Sequence, residues 1–281
     1  MVRLYNKPRK ETRAPHAKPF LCFSPMVRMC VVLSVIVQCL FSVEVPLEIN
    51  GRASLGKYLN SDTTRYNMDA SMDFYCTILK SKDLSLFVRY RDDLDLAEQE
   101  GGISLDPRRA HYYISGGIDY ITTALVFSGS FVHDCIHDID IDIEGTPVFN
   151  RFALQFADAH YHRSKRLKTL KRFLWSTELG IYPHWYYHGW VINSGADYNY
   201  EMVFQAAFNV LRKKSFGVNV DPRFYIIRGD TCFYHQHVLR INTYYRNNSR
   251  QIGLGLDYHI WNNDPIKNPD KLWLLSLFIE F

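Results

Sequence analysis

Residues 271–281 read KLWLLSLFIEF, and within them Trp273, Leu275, Leu277, Ile279 and Phe281 fall at every second position up to the final residue. A period of two is the mark of a strand with one apolar face, because successive side chains leave opposite sides of an extended backbone. Residues 251–261, QIGLGLDYHIW, repeat the pattern: Ile252, Leu254, Leu256, Tyr258 and Ile260 face one way, and Gly253, Gly255, Asp257 and His259 the other.

The same alternation recurs through the chain. Met68, Ala70, Met72, Phe74, Cys76 and Ile78 oppose Asp69, Ser71, Asp73 and Thr77, and Leu84, Leu86, Val88 and Tyr90 oppose Ser85, Arg89 and Arg91. Phe173, Trp175, Thr177, Leu179 and Ile181 oppose Ser176, Glu178 and Gly180. Thirteen segments carry it: 47–59, 67–79, 83–92, 110–121, 124–137, 149–160, 170–182, 186–199, 202–213, 217–228, 232–246, 250–262 and 271–281.

Alternation fits a soluble sandwich as well as a membrane barrel; the two differ in which face meets water. Three features favour the membrane barrel. The segments run to about 10–14 residues, near the 9–11 that cross a bilayer on a tilt. Aromatics gather near segment ends, as at Trp185, Tyr186, Tyr187 and Trp190 and at Tyr244 and Tyr245, like interfacial girdles. Charges stand in mid-segment on the polar face: Asp73, Arg89, Arg91, Asp119, Glu178, Asp197, Arg240 and Asp257. Opposite charges can pair across a narrow lumen and offset their desolvation.

With that alternation and its terminal Phe281, the C-terminal segment resembles the last strand of bacterial outer-membrane β-barrel proteins. The resemblance implies an all-β fold, a closed antiparallel transmembrane β-barrel. It also implies that Trp273, Leu275, Leu277, Ile279 and Phe281 are read by the barrel-insertion machinery. Single-chain bacterial barrels have even strand numbers, so thirteen segments predict twelve strands, the first segment being the one to drop; fourteen is the alternative.

The leading segment reads separately. From Met29 to Phe41 runs an apolar stretch behind Arg28, the plan of a secretory signal, with cleavage expected after Ser42. Residues 1–42 are therefore a leader and 43–281 the barrel domain. Residues 1–25 are rich in Lys, Arg and Pro, and Met26-Val27-Arg28 would be a conventional start. The chain's formal charge is +4, from 33 basic and 29 acidic residues. Removing the leader's seven basic residues and one acid leaves 26 and 28, so the barrel is near neutral and a nucleic-acid partner loses its support. Three cysteines remain after the leader (Cys76, Cys135 and Cys232), an odd and widely spaced set that outlines no disulfide framework.

Several clusters could carry chemistry. His133, Cys135 and His137 share one face of a strand, with imidazole and thiol ligands for a transition metal. The alternative is a nucleophilic Cys135 with a flanking His. Parity puts this row outward, with Phe127 and Phe131, unless a bulge reverses it. His235 and His237 share another face and could furnish a base beside Asp257 or Glu178. Asp138, Asp140, Asp142 and Glu144 offer oxygens for calcium, but the alternating Ile reads as a strand beyond the membrane. The basic stretch Arg163–Arg172 could bind lipopolysaccharide phosphates. No cofactor is implied. Three activities follow as expectations: a small channel or structural barrel with a charged, partly filled lumen; a lipid-modifying hydrolase using a lumenal or rim His cluster; and a surface protein binding ligands through its loops.

Overall fold

The computed structural model describes residues 45–97, 106–138, 148–161, 171–183, 198–247 and 250–281. Twelve strands close into one barrel: β1 (Glu48–Leu59), β2 (Met68–Ser81), β3 (Leu84–Ala97), β4 (Asp106–Ile121), β5 (Leu125–Asp138), β6 (Arg151–Asp158), β7 (Phe173–Ile181), β8 (Tyr198–Arg212), β9 (Phe216–Gly229), β10 (Phe233–Asn247), β11 (Arg250–Asn262) and β12 (Trp273–Glu280). Each pairs antiparallel with the next, and β12 returns to β1. Closure removes the sheet edges that would otherwise expose unpaired backbone groups.

The number is twelve, and the surplus segment is not the first. Residues 48–59 form β1, paired on both sides. Of the segment 186–199, Tyr198 and Asn199 belong to β8. β7 pairs directly with β8, which opens at Tyr198, and residues 184–197 lie outside the described residues.

The apolar face points outward. In β12, Leu277 and Ile279 are 56% and 44% exposed, whereas Phe278 between them is 2% exposed. Register aligns such residues into rows: Leu277 lies opposite Leu55 of β1 and Leu254 of β11. A protein in water does not leave this many large apolar side chains exposed on one continuous wall. Acyl chains are the solvent that such a wall fits.

Charge pairs fill the interior. Arg89 is bidentate to Asp73, Arg240 to Asp257, and Arg91 reaches Asp93. The Asp119 carboxylate is fully buried and accepts from Tyr75 and Ser128, both at 2.6 Å. Each of these polar groups avoids the desolvation cost of standing unpaired.

The two rims differ. At the closing rim, where β1 begins and β12 ends, most connections are tight, such as 82–83 and 213–215. At the opposite, far rim, the β11–β12 connection (263–272) folds inward as a strap. Lys267 sits 2.6 Å from both Asp69 and Asp95. Asp264 accepts from Tyr198 at 2.7 Å and Gln236 at 2.8 Å. Ile266 packs on a buried cluster of Ile136, Phe149, Tyr182, Tyr198 and Ile227. Burial opposes the Lys267 charge, but the two carboxylates outweigh it and hold its pKa well above the ordinary lysine value.

Candidate functional site on the outer wall

The pairing of β5 decides where the His/Cys row points. β4 and β5 run in unbroken register from Arg109↔Asp138 to Ile121↔Val126, with no bulge. Parity therefore holds along the strand: Val126, Ser128 and Asp134 face inward and are buried, while Phe127 is exposed on the outer wall. His133, Cys135 and His137 share that outer face, so they do not line the lumen.

The first residues of the β6 arm complete the arrangement. Val132 pairs with Arg151 and Cys135 bridges Val148, which sets Asn150 opposite His133. The Phe149 N–H donates to the Asp134 carbonyl at 2.7 Å and fixes this register. Across it, His133 Nδ1 and Asn150 Oδ1 lie 2.7 Å apart. With the amide oxygen as acceptor, Nδ1 carries the proton, and Nε2 becomes the basic nitrogen. Cys135 follows two residues on, about 6.6 Å along the strand. Cys135 is buried although its face is outward, as is Val148, its bridge partner.

Asp134 anchors the segment from inside. Its carboxylate bonds His111 and accepts from Arg151 at 2.8 Å, and Arg151 also reaches Glu201 at 2.7 Å. Tyr182 donates to Glu201 at 2.7 Å. This buried network holds the strand that presents His133 and Cys135 to the outside.

The remaining candidates are placed as follows. His137 is exposed and meets Tyr112 edge-on, with ring centres 5.4 Å apart. His235 and His237 sit on the outer wall among aromatics; the His235 ring stacks on Trp261 at 4.1 Å. Asp257 and Glu178, their suggested carboxylate partners, line the lumen instead. The barrel wall separates them, so that pairing fails. Asp73, Arg89, Arg91, Glu178, Arg240 and Asp257 line the lumenal cavities, and Asp119 is packed beneath Tyr75. Asp197, Asp140, Asp142, Glu144 and most of the basic stretch, 162–170, lie outside the described residues, as does the Asp138 side chain. Among the described residues, no group of three or more His, Cys, Asp or Glu side chains could hold a metal ion. Asn150 was not legible as a partner in the sequence, where it is one polar residue at the head of a segment.

The described residues line two cavities in the lumen. The far one, about 230 Å³, lies beneath the strap; the other, about 320 Å³, reaches the closing rim at Gly51 and Phe281.

Comparison with known proteins agrees on the architecture. The fold is that of an outer-membrane β-barrel. The outer membrane phospholipase A of Escherichia coli superposes with a TM-score of 0.53 at 7% identity, covering 83% of this chain and 90% of that one. The calcium-bound dimer of the Salmonella typhi outer membrane phospholipase gives 0.52 at 8% identity over the same shares. At such identities the likeness is one of fold alone. No protein-family model matches the sequence, and no curated protein matches it by sequence.

Proposed function

We propose that this barrel lies in the bacterial outer membrane and hydrolyses an acyl ester of a membrane lipid. Cys135 is the nucleophile, His133 its base, and Asn150 the residue that orients His133. The observation that carries this reading is the 2.7 Å bond between His133 Nδ1 and Asn150 Oδ1 beside a thiol on the lipid-facing wall. A Cys-His-Asn set is a known working combination for acyl transfer. The phospholipases that share the fold suggest the substrate.

The chemistry balances as two displacements. His133 Nε2 takes the thiol proton as Cys135 Sγ attacks the ester carbonyl, and the tetrahedral intermediate expels the lysolipid alcohol, which leaves with that proton. Water, deprotonated by His133, then attacks the thioester, and the fatty acid leaves as the thiol is restored. The buried Cys135 thiol must become accessible for the ester to reach it.

Fatty-acid release from phospholipid in mixed micelles by the refolded barrel tests this. Wild type should release acid, and both Cys135→Ala and His133→Ala should be inactive. An inactive wild type, or a Cys135→Ala variant as active as wild type, refutes the assignment.

A narrow passage is the second reading. The two cavities share wall residues Arg91, Arg151, Arg223, Arg240, Tyr113 and Tyr225, so one polar path runs along the lumen up to the strap. Planar-bilayer conductance tests it. The loops a surface-binding role would use, 98–105, 139–147 and 184–197, lie outside the described residues. In the same proposal residues 1–42 direct export, β12 engages the insertion machinery, and lipid and lipopolysaccharide surround the wall.

A further inference from the structure

Among the described residues, Arg223 and Glu178 line the lumen wall with no oppositely charged group within salt-bridge distance. Five lumenal arginines are each bonded or paired to a carboxylate: Arg52 to Glu280, Arg89 to Asp73, Arg91 to Asp93, Arg151 to Asp134 and Glu201, and Arg240 to Asp257. Arg223 of β9 has no carboxylate within salt-bridge distance among the described residues. With the Gln205 amide turned to satisfy both its ends, its oxygen accepts from Arg223 Nε at 3.0 Å and from a terminal nitrogen at 3.2 Å. Glu178 of β7 forms no hydrogen bond or ion pair among the described residues. Its field reaches Arg89 and Arg151, and that of Arg223 reaches Asp73, but those groups are already engaged.

The sheet sets the two charges at a fixed spacing. Glu178 lies opposite Val203 of β8, and Gln205, two residues on, lies opposite Arg223. Glu178 and Arg223 thus flank β8 from either side, with backbones about 12 Å apart, two strand spacings across and two residues along. Val203 between them is short and buried, and both charges line the 320 Å³ cavity that reaches the closing rim. An unmatched charge in a confined lumen is costly. Two of opposite sign on one wall are relieved together by a molecule carrying both signs.

We infer that this cavity binds a small zwitterion, its carboxylate or phosphate on the Arg223 guanidinium and its ammonium on the Glu178 carboxylate. The guanidinium fork suits a planar or tetrahedral oxyanion, and the carboxylate suits an ammonium donor. The volume is at the lower end of small-molecule pockets. The ligand enters from the closing rim, past Asn50, Gly51 and Phe281. The site is independent of the acyl-hydrolysis reading, because it lies on the other side of the wall from Cys135.

Calorimetric titration of the refolded barrel in detergent tests this with O-phosphoethanolamine and β-alanine as zwitterions, and inorganic phosphate and ethanolamine as single-charge probes. At least one zwitterion should bind saturably. Arg223→Gln and Glu178→Gln should each weaken it about tenfold or more, the loss of one charge-assisted bond. Phosphate binding should depend on Arg223 alone and ethanolamine binding on Glu178 alone. Tighter phosphoethanolamine identifies a lipid headgroup as the source, and tighter β-alanine a free amino acid. Cys135→Ala should bind like wild type whether or not the barrel proves to be a hydrolase. If Arg223→Gln fails to refold, Arg223→Lys keeps the charge, loses the fork, and should still weaken binding. No saturable binding of either zwitterion, or unchanged binding in both the Arg223 and Glu178 variants, overturns the inference.

Discussion

The side chains of His133 and Asp134, consecutive on β5, leave opposite faces of the barrel wall: His133 Nδ1 lies 2.7 Å from Asn150, and Asp134 accepts from Arg151 at 2.8 Å. One strand therefore belongs to two environments. Its outer face meets lipid, and its inner face is fastened into a charge network that resists any slip in register.

That outer bond gives the first prediction. Asn150→Ala should leave KM for phospholipid nearly unchanged and lower kcat by on the order of 10²–10⁴, the range expected when a general base loses its orientation. Steady-state fatty-acid release in mixed micelles measures it. A loss confined to KM would assign Asn150 to substrate binding instead.

Leu277 tests the direction of the wall. Leu277→Arg should destabilise the barrel by about 2–4 kcal/mol in bilayers, the cost of a cation on a lipid-facing strand near mid-depth. Urea unfolding from vesicles reads this directly. An effect within about 0.5 kcal/mol, typical of a wet surface, would place this face in water.

Glycines separate by what surrounds them. A Cβ on Gly253 would lie 2.1 Å from the Thr243 carbonyl oxygen and 2.8 Å from Tyr244 Cα, both backbone atoms that cannot rotate away. Gly253→Ala should cost about 1–3 kcal/mol, as overpacking does. On Gly116 the nearest atom is 3.9 Å away, so Gly116→Ala should be neutral within about 0.5 kcal/mol. Equal unfolding midpoints for the two variants would contradict this packing.

The strap should behave as a latch. Because the pKa of Lys267 is raised on folding, its contribution is complete below the unfolded lysine value of about 10.4 and fades only as pH climbs through the higher folded value. Bilayer conductance of wild type should therefore be low and unchanged from pH 7 to pH 10. Lys267→Met, which leaves Asp69 and Asp95 without their cation, should conduct more at both. A variant as quiet as wild type would mean that Lys267 does not hold the strap.

Much of this was written in the chain and some was not. Alternation from Ile252 to Ile260 and from Trp273 to Phe281 depends only on local period, so it survives into the folded wall. Parity also foretold that His133 and Cys135 look outward, because β4 and β5 pair without a bulge. The thirteenth segment, 186–199, is read from its aromatics and its period of two; that β7 pairs directly with β8 is a matter of register that no local pattern contains. Partnerships were the least legible. Arg240 and Asp257 are hairpin neighbours, but Asn150 meets His133 only through the β5–β6 register, and Lys267 finds Asp69 from the other end of the sequence. Such pairs are products of closure, which no window of residues contains.

With the strap seated, the two ends of the barrel sequence are tied at the far rim, because Lys267 of the β11–β12 connection holds Asp69 of β2 and Asp95 of β3. A change that frees Lys267 should therefore be felt first in the cavity beneath the strap, before the one that reaches Gly51 and Phe281.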